Sequence, residues 1–125
     1  MKKRILFIDD EAPVFARIFP RLMQEYEVRL ESEASVALEV AREFHPDVFL
    51  LDLIMPQING LDLAARLHAQ EDFKTTPVII VSACVHSRED GEPTSVGEFP
   101  AFGKPFNIPA LKRCIEQQLA GPKHP

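Results

Sequence analysis

Short apolar runs recur along the chain and are separated by segments with a helical period. Runs predicted as strands lie at residues 5–8, 26–30, 48–51, 78–81 and, with a weaker pattern, 99–102. Four of them are continuously apolar, which is typical of strands covered on both faces of a sheet. The run at 26–30 alternates apolar and polar residues, so we expect it at the edge of the sheet.

Helical patterns fill most of the intervals between these strands. Their apolar residues recur at i, i+3, i+4 and i+7, which is the spacing of one buried helix face. Pro13 is favourable in a first turn, and Asn107 is a suitable N-cap. The predicted helices lie at residues 13–24, 37–44, 61–67 and 108–119.

Strands that alternate with helices form right-handed βαβ units, which build one parallel sheet with helices on both faces. The sequence therefore predicts an α/β domain. The crossover between Val81 and Phe99 departs from this pattern. Gly91 and Pro93 oppose helix there, and no apolar stripe is visible. We expect one short turn of helix, or a mobile loop.

Length and charge narrow the classes of function. The 125 residues are enough for one domain, predicted over 1–120, with 121–125 a flexible tail or the start of a linker. Fourteen Lys and Arg against nineteen Asp and Glu give a net charge of −5. Such a chain is not attracted to nucleic acid or anionic lipid, so neither is expected as a direct partner.

Targeting signals and disulfides are not expected. The apolar run behind Lys2-Lys3-Arg4 has four residues, too few for a signal peptide, and no run approaches the ~18 residues of a membrane span. A cytoplasmic domain is predicted. Two cysteines cannot form a disulfide framework, and a small buried thiol is expected at Cys84.

Polar residues follow the predicted strands at one edge of the sheet. Asp9 and Asp10 follow the first strand, and Asp52 follows the third. Ser82 follows the predicted strand at 78–81, and Lys104 follows the last predicted strand, at 99–102. Because the carboxyl ends of parallel strands meet at the same edge, we expect these five groups to converge.

Clustered carboxylates repel one another, so either some of them stay protonated or a cation neutralises them. Ligands that are all oxygen favour a hard ion, and Mg²⁺ fits best. Such a site can orient a phosphoryl donor, and one carboxylate can then form an aspartyl-phosphate. Asp52 is the better candidate nucleophile because it stands alone at its strand end, whereas Asp9 and Asp10 are placed to hold the metal. Each residue by itself also fits a turn or a helix start.

As a set, these residues resemble the receiver domain of bacterial response regulators. The resemblance covers essentially the whole chain. It implies a flavodoxin-like (βα)₅ fold of three α/β/α layers, with parallel strand order 2-1-3-4-5 and a short or irregular fourth helix. The residues that carry it are ILFIDDE at 5–11, LLDLIMP at 50–56 with Gly60 beyond, VSA at 81–83 and KPF at 104–106.

The resemblance also implies a role for each site residue. A sensor histidine kinase or histidine phosphotransfer protein would phosphorylate Asp52 in a Mg²⁺-dependent reaction, with no other enzyme activity than self-phosphotransfer and autodephosphorylation. Ser82 and Lys104 would bind the phosphoryl group, and Lys104-Pro105 would be a cis peptide. The implied metal ligands are Asp9, Asp10, Asp52 and the backbone carbonyl of Ile54.

Three positions depart from the family pattern. Ala101 stands where the family usually places an aromatic switch residue; Phe99 or Phe102 could substitute, although Phe102 should point to the opposite face of the strand. Ile54 and Cys84 flank the site where family members often carry polar side chains, and an apolar Ile54 is expected to slow attack by water on an acyl phosphate.

Three functions stay open at this point. The first is a phosphoacceptor that switches contacts with a downstream protein or a fused output domain. The second is a receiver-like interaction module that does not switch. The third is a phosphohydrolase, which needs a second carboxylate where the chain has Ile54. Pairing as a homodimer also stays open, since receivers often pair through the fourth crossover and last helix. The sequence does not indicate the cognate kinase or the pathway.

Overall fold

The computed structural model describes residues 2–11, 19–86, 88–104 and 107–121. Over this part of the chain it contains a six-stranded sheet in the order β2-β1-β3-β4-β6-β5. All neighbouring strands are parallel except β5 and β6, which are antiparallel. The strands are β1 (Lys3–Ile8), β2 (Tyr26–Glu31), β3 (Val48–Asp52), β4 (Val78–Ser82), β5 (Thr94–Val96) and β6 (Phe99–Gly103).

Helices pack on both faces of this sheet. One core contains apolar residues of α2 (Ala37–Phe44) and α3 (Gly60–His68), and the core on the other face contains residues of α1 (Phe19–Met23) and α4 (Ile108–Leu119). Every residue of β3 and β4 is buried, as the continuous apolar runs predicted. The expected three-layer α/β fold is therefore confirmed. Turns of 3₁₀ helix lie at Ala34–Val36 and Glu71–Phe73.

Side-chain caps fix where two of the helices begin. The side chain of Asn107 accepts a hydrogen bond from the N–H of Ala110 at 2.9 Å, so the predicted cap of α4 is confirmed. Asn59 caps α3 in the same way through the N–H of Asp62. The prediction of a helix start at Pro13 falls on residues 12–18, which lie outside the described part of the chain.

The fourth crossover, expected to be one short turn of helix or a mobile loop, has irregular structure and a short strand in its described residues. The described residues between β4 and β6 form turns and then β5, which adds a strand at the sheet edge. Gly97, with φ of 60°, opens the two-residue turn to β6, a conformation that glycine adopts without strain. Pro100 lies opposite Ser95 in this hairpin.

Candidate functional site

The sheet brings the predicted site residues together at one edge. Asp9 directly follows β1, Asp52 and Ser82 end β3 and β4, and Lys104 directly follows β6. These four strands are consecutive neighbours in the sheet, and Ser82 pairs in register with Gly103. The predicted convergence of these groups is therefore confirmed. Pro105, and with it the predicted cis peptide, lies outside the described residues.

The three aspartates form one acidic cluster. Carboxylate oxygens of Asp9, Asp10 and Asp52 all lie within 4.8 Å of one another. Asp9 is fully buried and Asp52 is 5% exposed, whereas Asp10 faces solvent. The N–H of Asp9 donates to the carbonyl of Glu31 on β2 at 3.0 Å, and its Oδ1 accepts from the N–H of Glu11 at 2.8 Å. These bonds fix the Asp9 carboxylate.

Lys104 is the cation at this cluster. Its side-chain nitrogen Nζ lies 2.6 Å from Oδ2 of Asp9 and 3.6 Å from Oδ1 of Asp52. Glu11, a neighbour that the sequence analysis did not assign to the site, lies 3.8 Å away. The N–H of Lys104 donates to the carbonyl of Ser82 at 3.1 Å, which anchors the lysine to β4. One ammonium faces several carboxylates, so the local charge stays negative.

A divalent cation fits this arrangement. Oδ2 of Asp9 is buried and accepts no hydrogen bond of normal geometry from the described residues, although Lys104 forms an ion pair with it. A buried carboxylate oxygen with a lone pair that no hydrogen bond occupies is suited to a metal ion. The available ligands are all oxygen, the set that Mg²⁺ prefers in proteins. Asp9, Asp10 and Asp52 could hold such an ion.

The environment of Asp52 opposes its ionisation. Burial raises the pKa of its carboxyl group, and the neighbouring charge of Asp9 raises it further. Lys104, the hydroxyl of Ser82 and the N–H of Ile54 act in the opposite direction but do not cancel the shift. Asp52 is therefore a carboxylate whose charge calls for an additional cation.

Gly60 holds the loop after β3 against Asp52. Its N–H donates to the carbonyl of Leu53 at 2.7 Å. A Cβ atom at Gly60 would lie 2.3 Å from the carbonyl oxygen of Asp52, a distance that no side chain tolerates. The glycine is therefore required by close backbone approach, and it sets where Asp52 stands relative to α3.

An open pocket of about 410 Å³ gives access to Asp52. The side chain of Ile54 stands at its rim and is 62% exposed. Cys84 also lines the pocket and is exposed, so the expectation of a buried thiol there is wrong. The reason is that Cys84 lies in the turn after β4, beyond the sheet layers. Cys114 on α4 is the buried thiol, and burial raises its pKa to about 11.

The position of the family's aromatic switch is filled by a small side chain. Ala101 is buried in the core on the α2–α3 face, and Phe102 is buried in the core on the other face, as predicted. Phe99 is on the same face as Ala101 and packs beside His68, with ring centroids 5.9 Å apart. Phe102 therefore cannot take the place of the missing aromatic, whereas Phe99 lies two residues before Ala101 on the same face.

The comparison with protein families agrees with this site. The chain matches the model of the response regulator receiver domain over residues 5–116. It therefore belongs to the response regulator receiver domain family, which places it among proteins of two-component signalling. Within the described residues, no helix is long and apolar enough to cross a membrane.

The chain covers nearly the whole length of some relatives and only a part of others. It is 27% identical over 121 residues to the polar-differentiation response regulator DivK of Brucella abortus, covering 95% of this chain and 98% of DivK. It is 29% identical over 117 residues to the regulatory protein AtoC of Escherichia coli, covering 93% of this chain but 25% of AtoC. A response regulator structure from Desulfuromonas acetoxidans matches with a TM-score of 0.78 and 27% identity, covering 94% of this chain and 97% of that one.

Proposed function

We propose that the protein is a phosphoacceptor in which Asp52 receives a phosphoryl group from a sensor histidine kinase or a histidine phosphotransfer protein. The observation that carries this proposal is the acidic cluster of Asp9, Asp10 and Asp52 with Lys104 at 3.6 Å from Asp52. The proposed nucleophile Asp52 and the proposed phosphate-binding cation Lys104 line one open pocket together with Asp10, which supports the proposal. A cytoplasmic location, where such kinases present their phosphohistidine, is part of the proposal.

The reaction needs little covalent chemistry from the protein. An oxygen of Asp52 attacks the phosphorus while the bond from phosphorus to the donor's histidine nitrogen breaks, and that nitrogen keeps the electron pair and takes up a proton. A Mg²⁺ ion held by Asp9, Asp10, Asp52 and the carbonyl of Ile54 would orient the phosphoryl group and neutralise its charge.

Lys104 and Ser82 are proposed to bind the transferred group. The Lys104 nitrogen stands 3.6 Å from Oδ1 of Asp52, so it is within reach of a phosphoryl oxygen attached there. The Ser82 side chain is almost fully buried at the end of β4, and its hydroxyl lowers the pKa of Asp52. Donors that are fixed before the reaction stabilise the charge that develops in it.

The added charge is proposed to change contacts made by the fourth crossover, β6 and α4. Glu92 in that crossover is held to α4 by an ion pair with Arg113 at 2.8 Å. Because Ala101 replaces the aromatic, the signal would pass through backbone contacts such as the one from Lys104 to Ser82. The alternative is an interaction module that does not switch, and it is supported by the same absence of an aromatic side chain at Ala101.

The central test is labelling with acetyl phosphate and Mg²⁺, followed by mass spectrometry of the intact protein. We expect one phosphate on the wild type, none on Asp52→Asn, and wild-type labelling of the control Asp62→Asn, an exposed carboxylate on α3. Absence of label on the wild type, or equal label on Asp52→Asn, would remove the proposal.

A second measurement separates the switch from the alternative. Amide chemical shifts are compared before and after phosphorylation. Shifts in residues 88–98 and along α4 are expected for a switch. Changes confined to the immediate neighbours of Asp52 would favour the module that does not switch.

A further inference from the structure

Glu11 lies at the mouth of the pocket that leads to Asp52. It lines this pocket of about 410 Å³ together with Asp52 and Lys104. Its backbone is fixed, since its N–H donates to Oδ1 of Asp9 at 2.8 Å. Its side chain is 63% exposed, and Oε1 lies 3.8 Å from Nζ of Lys104. A donor that reaches Asp52 through this pocket therefore comes close to the Glu11 carboxylate.

The surroundings of Glu11 do not neutralise its charge. Nζ of Lys104 lies closer to Oδ2 of Asp9, at 2.6 Å, and to Oδ1 of Asp52, at 3.6 Å. In the described part of the chain, no other basic side chain lies within 4 Å of Glu11. The carboxylates close enough together to share a metal ion are those of Asp9, Asp10 and Asp52. An ion bound there would leave the charge of Glu11 in place.

Glu11 is near enough to Asp52 to act on a phosphoryl donor. The two carboxylates lie 3.8 Å and 3.6 Å from the same lysine nitrogen, so they are closer to each other than the Debye length of ~8 Å at physiological ionic strength. Charges at such a distance are only partly screened. The repulsion between Glu11 and a donor grows with the negative charge of the donor, and it is moderate because the pocket is open to water.

We propose that Glu11 is a specificity-determining residue, whose carboxylate repels phosphoryl donors in proportion to their negative charge and so selects against small dianionic donors. This inference rests on the phosphoacceptor function proposed above. Acetyl phosphate is a dianion at neutral pH, whereas phosphoramidate is a monoanion. The charge of Glu11 should therefore slow transfer from acetyl phosphate more than transfer from phosphoramidate.

Both donors transfer the same group to the same atom. An oxygen of Asp52 forms a bond to phosphorus while the bond from phosphorus to the leaving group breaks. Acetate leaves acetyl phosphate with the electron pair of the broken P–O bond. Ammonia leaves phosphoramidate, whose nitrogen is already protonated, with the electron pair of the P–N bond. Because each donor is compared with itself across variants, the difference between the leaving groups cancels.

Glu11→Gln removes the charge and keeps the size of the side chain, and the backbone bond to Asp9 is retained. The matched control is Glu98→Gln. Glu98 is exposed and directly precedes β6, at the end of that strand opposite to Lys104, so the same loss of charge occurs far from the pocket. Labelling rates are measured by mass spectrometry of the intact protein at saturating Mg²⁺. The saturating concentration is determined for each variant, because the charge of Glu11 also attracts the cation.

We expect acetyl phosphate to label Glu11→Gln roughly two- to fivefold faster than the wild type at low ionic strength. With phosphoramidate the gain should be about the square root of that factor, since the repulsion is halved. Glu98→Gln should match the wild type with both donors. In ~1 M salt, where the Debye length is about 3 Å, the gain with acetyl phosphate should largely disappear.

The outcomes distinguish this inference from the proposed function. A wild type that neither donor labels overturns the phosphoacceptor proposal, and the inference with it. A labelled wild type with no gain in Glu11→Gln, or with the same gain in Glu98→Gln, overturns the inference alone. An equal gain with both donors, or one that persists in high salt, also overturns it, because charge repulsion predicts neither. Slower labelling of Glu11→Gln overturns it too, since the carboxylate would then assist Lys104 instead of repelling the donor.

Discussion

Lys104 pairs with Asp9 more closely than with Asp52. Its nitrogen lies 2.6 Å from Oδ2 of Asp9 and 3.6 Å from Oδ1 of Asp52. Both carboxylates are buried, and the lysine side chain is 8% exposed. The lysine therefore neutralises the buried aspartates, and at 3.6 Å from Asp52 it is within reach of the phosphoryl group proposed to be carried there.

Removing this cation should destabilise the fold. In Lys104→Met the two buried carboxylates lose their partner, and breaking a buried pair from one side costs about 3 kcal/mol. We expect the free energy of unfolding in urea near neutral pH to fall by about that amount, with Mg²⁺ restoring part of it. Lys74→Met, which removes an exposed ion pair with Glu71, should change it by less than about 1 kcal/mol. Equal stability of the two variants would contradict this account of Lys104.

Removing the charge of Asp52 should have the opposite effect. Its pKa is raised in the folded state, chiefly by burial and by the charge of Asp9. A carboxyl group whose pKa is higher in the folded state contributes to stability below its pKa in the unfolded chain. This contribution is lost as the pH rises through its pKa in the folded state. Near neutral pH the ionised Asp52 thus weakens the fold, so Asp52→Asn should raise the free energy of unfolding.

The pH dependence checks the sign of this effect. The difference between Asp52→Asn and the wild type should shrink as the pH falls towards 3.8, the ordinary pKa of the group. Urea unfolding over a series of pH values without Mg²⁺ measures it. A gap that widens on acidification would show that ionised Asp52 stabilises the fold, against the burial argument.

The rim residue Ile54 should control how long the phosphoryl group stays on Asp52. Its side chain is largely exposed at the pocket and has no polar group with which to orient a water molecule. Ile54→Asn supplies such a group, and we expect the phosphorylated lifetime to shorten by about threefold to tenfold, the effect of one positioned hydrogen bond. Ile54→Val is the matched control and should keep the wild-type lifetime. The decay of the phosphorylated mass after removal of acetyl phosphate measures both.

The sequence predicted the strands and the site because both depend on simple patterns. Continuous apolar runs mark buried strands, and a polar residue at the carboxyl end of each run marks the functional edge. Asp9, Asp52, Ser82 and Lys104 were found this way, and the structure brings them together.

Other features depend on three-dimensional contacts that no local pattern shows. The strand β5 is three residues long and is stabilised by pairing with β6, so no periodicity indicates it. The exposure of Cys84 depends on the direction of the turn after β4. The approach of Glu11 to Lys104 joins residues far apart in the chain. Its only signal in the sequence is its position directly after the aspartate pair.

Gly60 provides a test of whether the geometry around Asp52 is as tight as the structure indicates. In Gly60→Ala the new Cβ would lie 2.3 Å from the carbonyl oxygen of Asp52 and 3.0 Å from the Cα of Leu53, so backbone must move. Overpacking of this kind costs about 1–3 kcal/mol. We expect urea unfolding to show a loss in that range, together with slower labelling of Asp52, because either the strand end or the start of α3 shifts. Ala64→Gly, in the middle of the same helix, should also lower stability, by about 1 kcal/mol or more, but should leave the labelling rate of the folded protein unchanged. If Gly60→Ala lost stability without slowing the reaction, the glycine would serve the fold alone and the position of Asp52 would not depend on it.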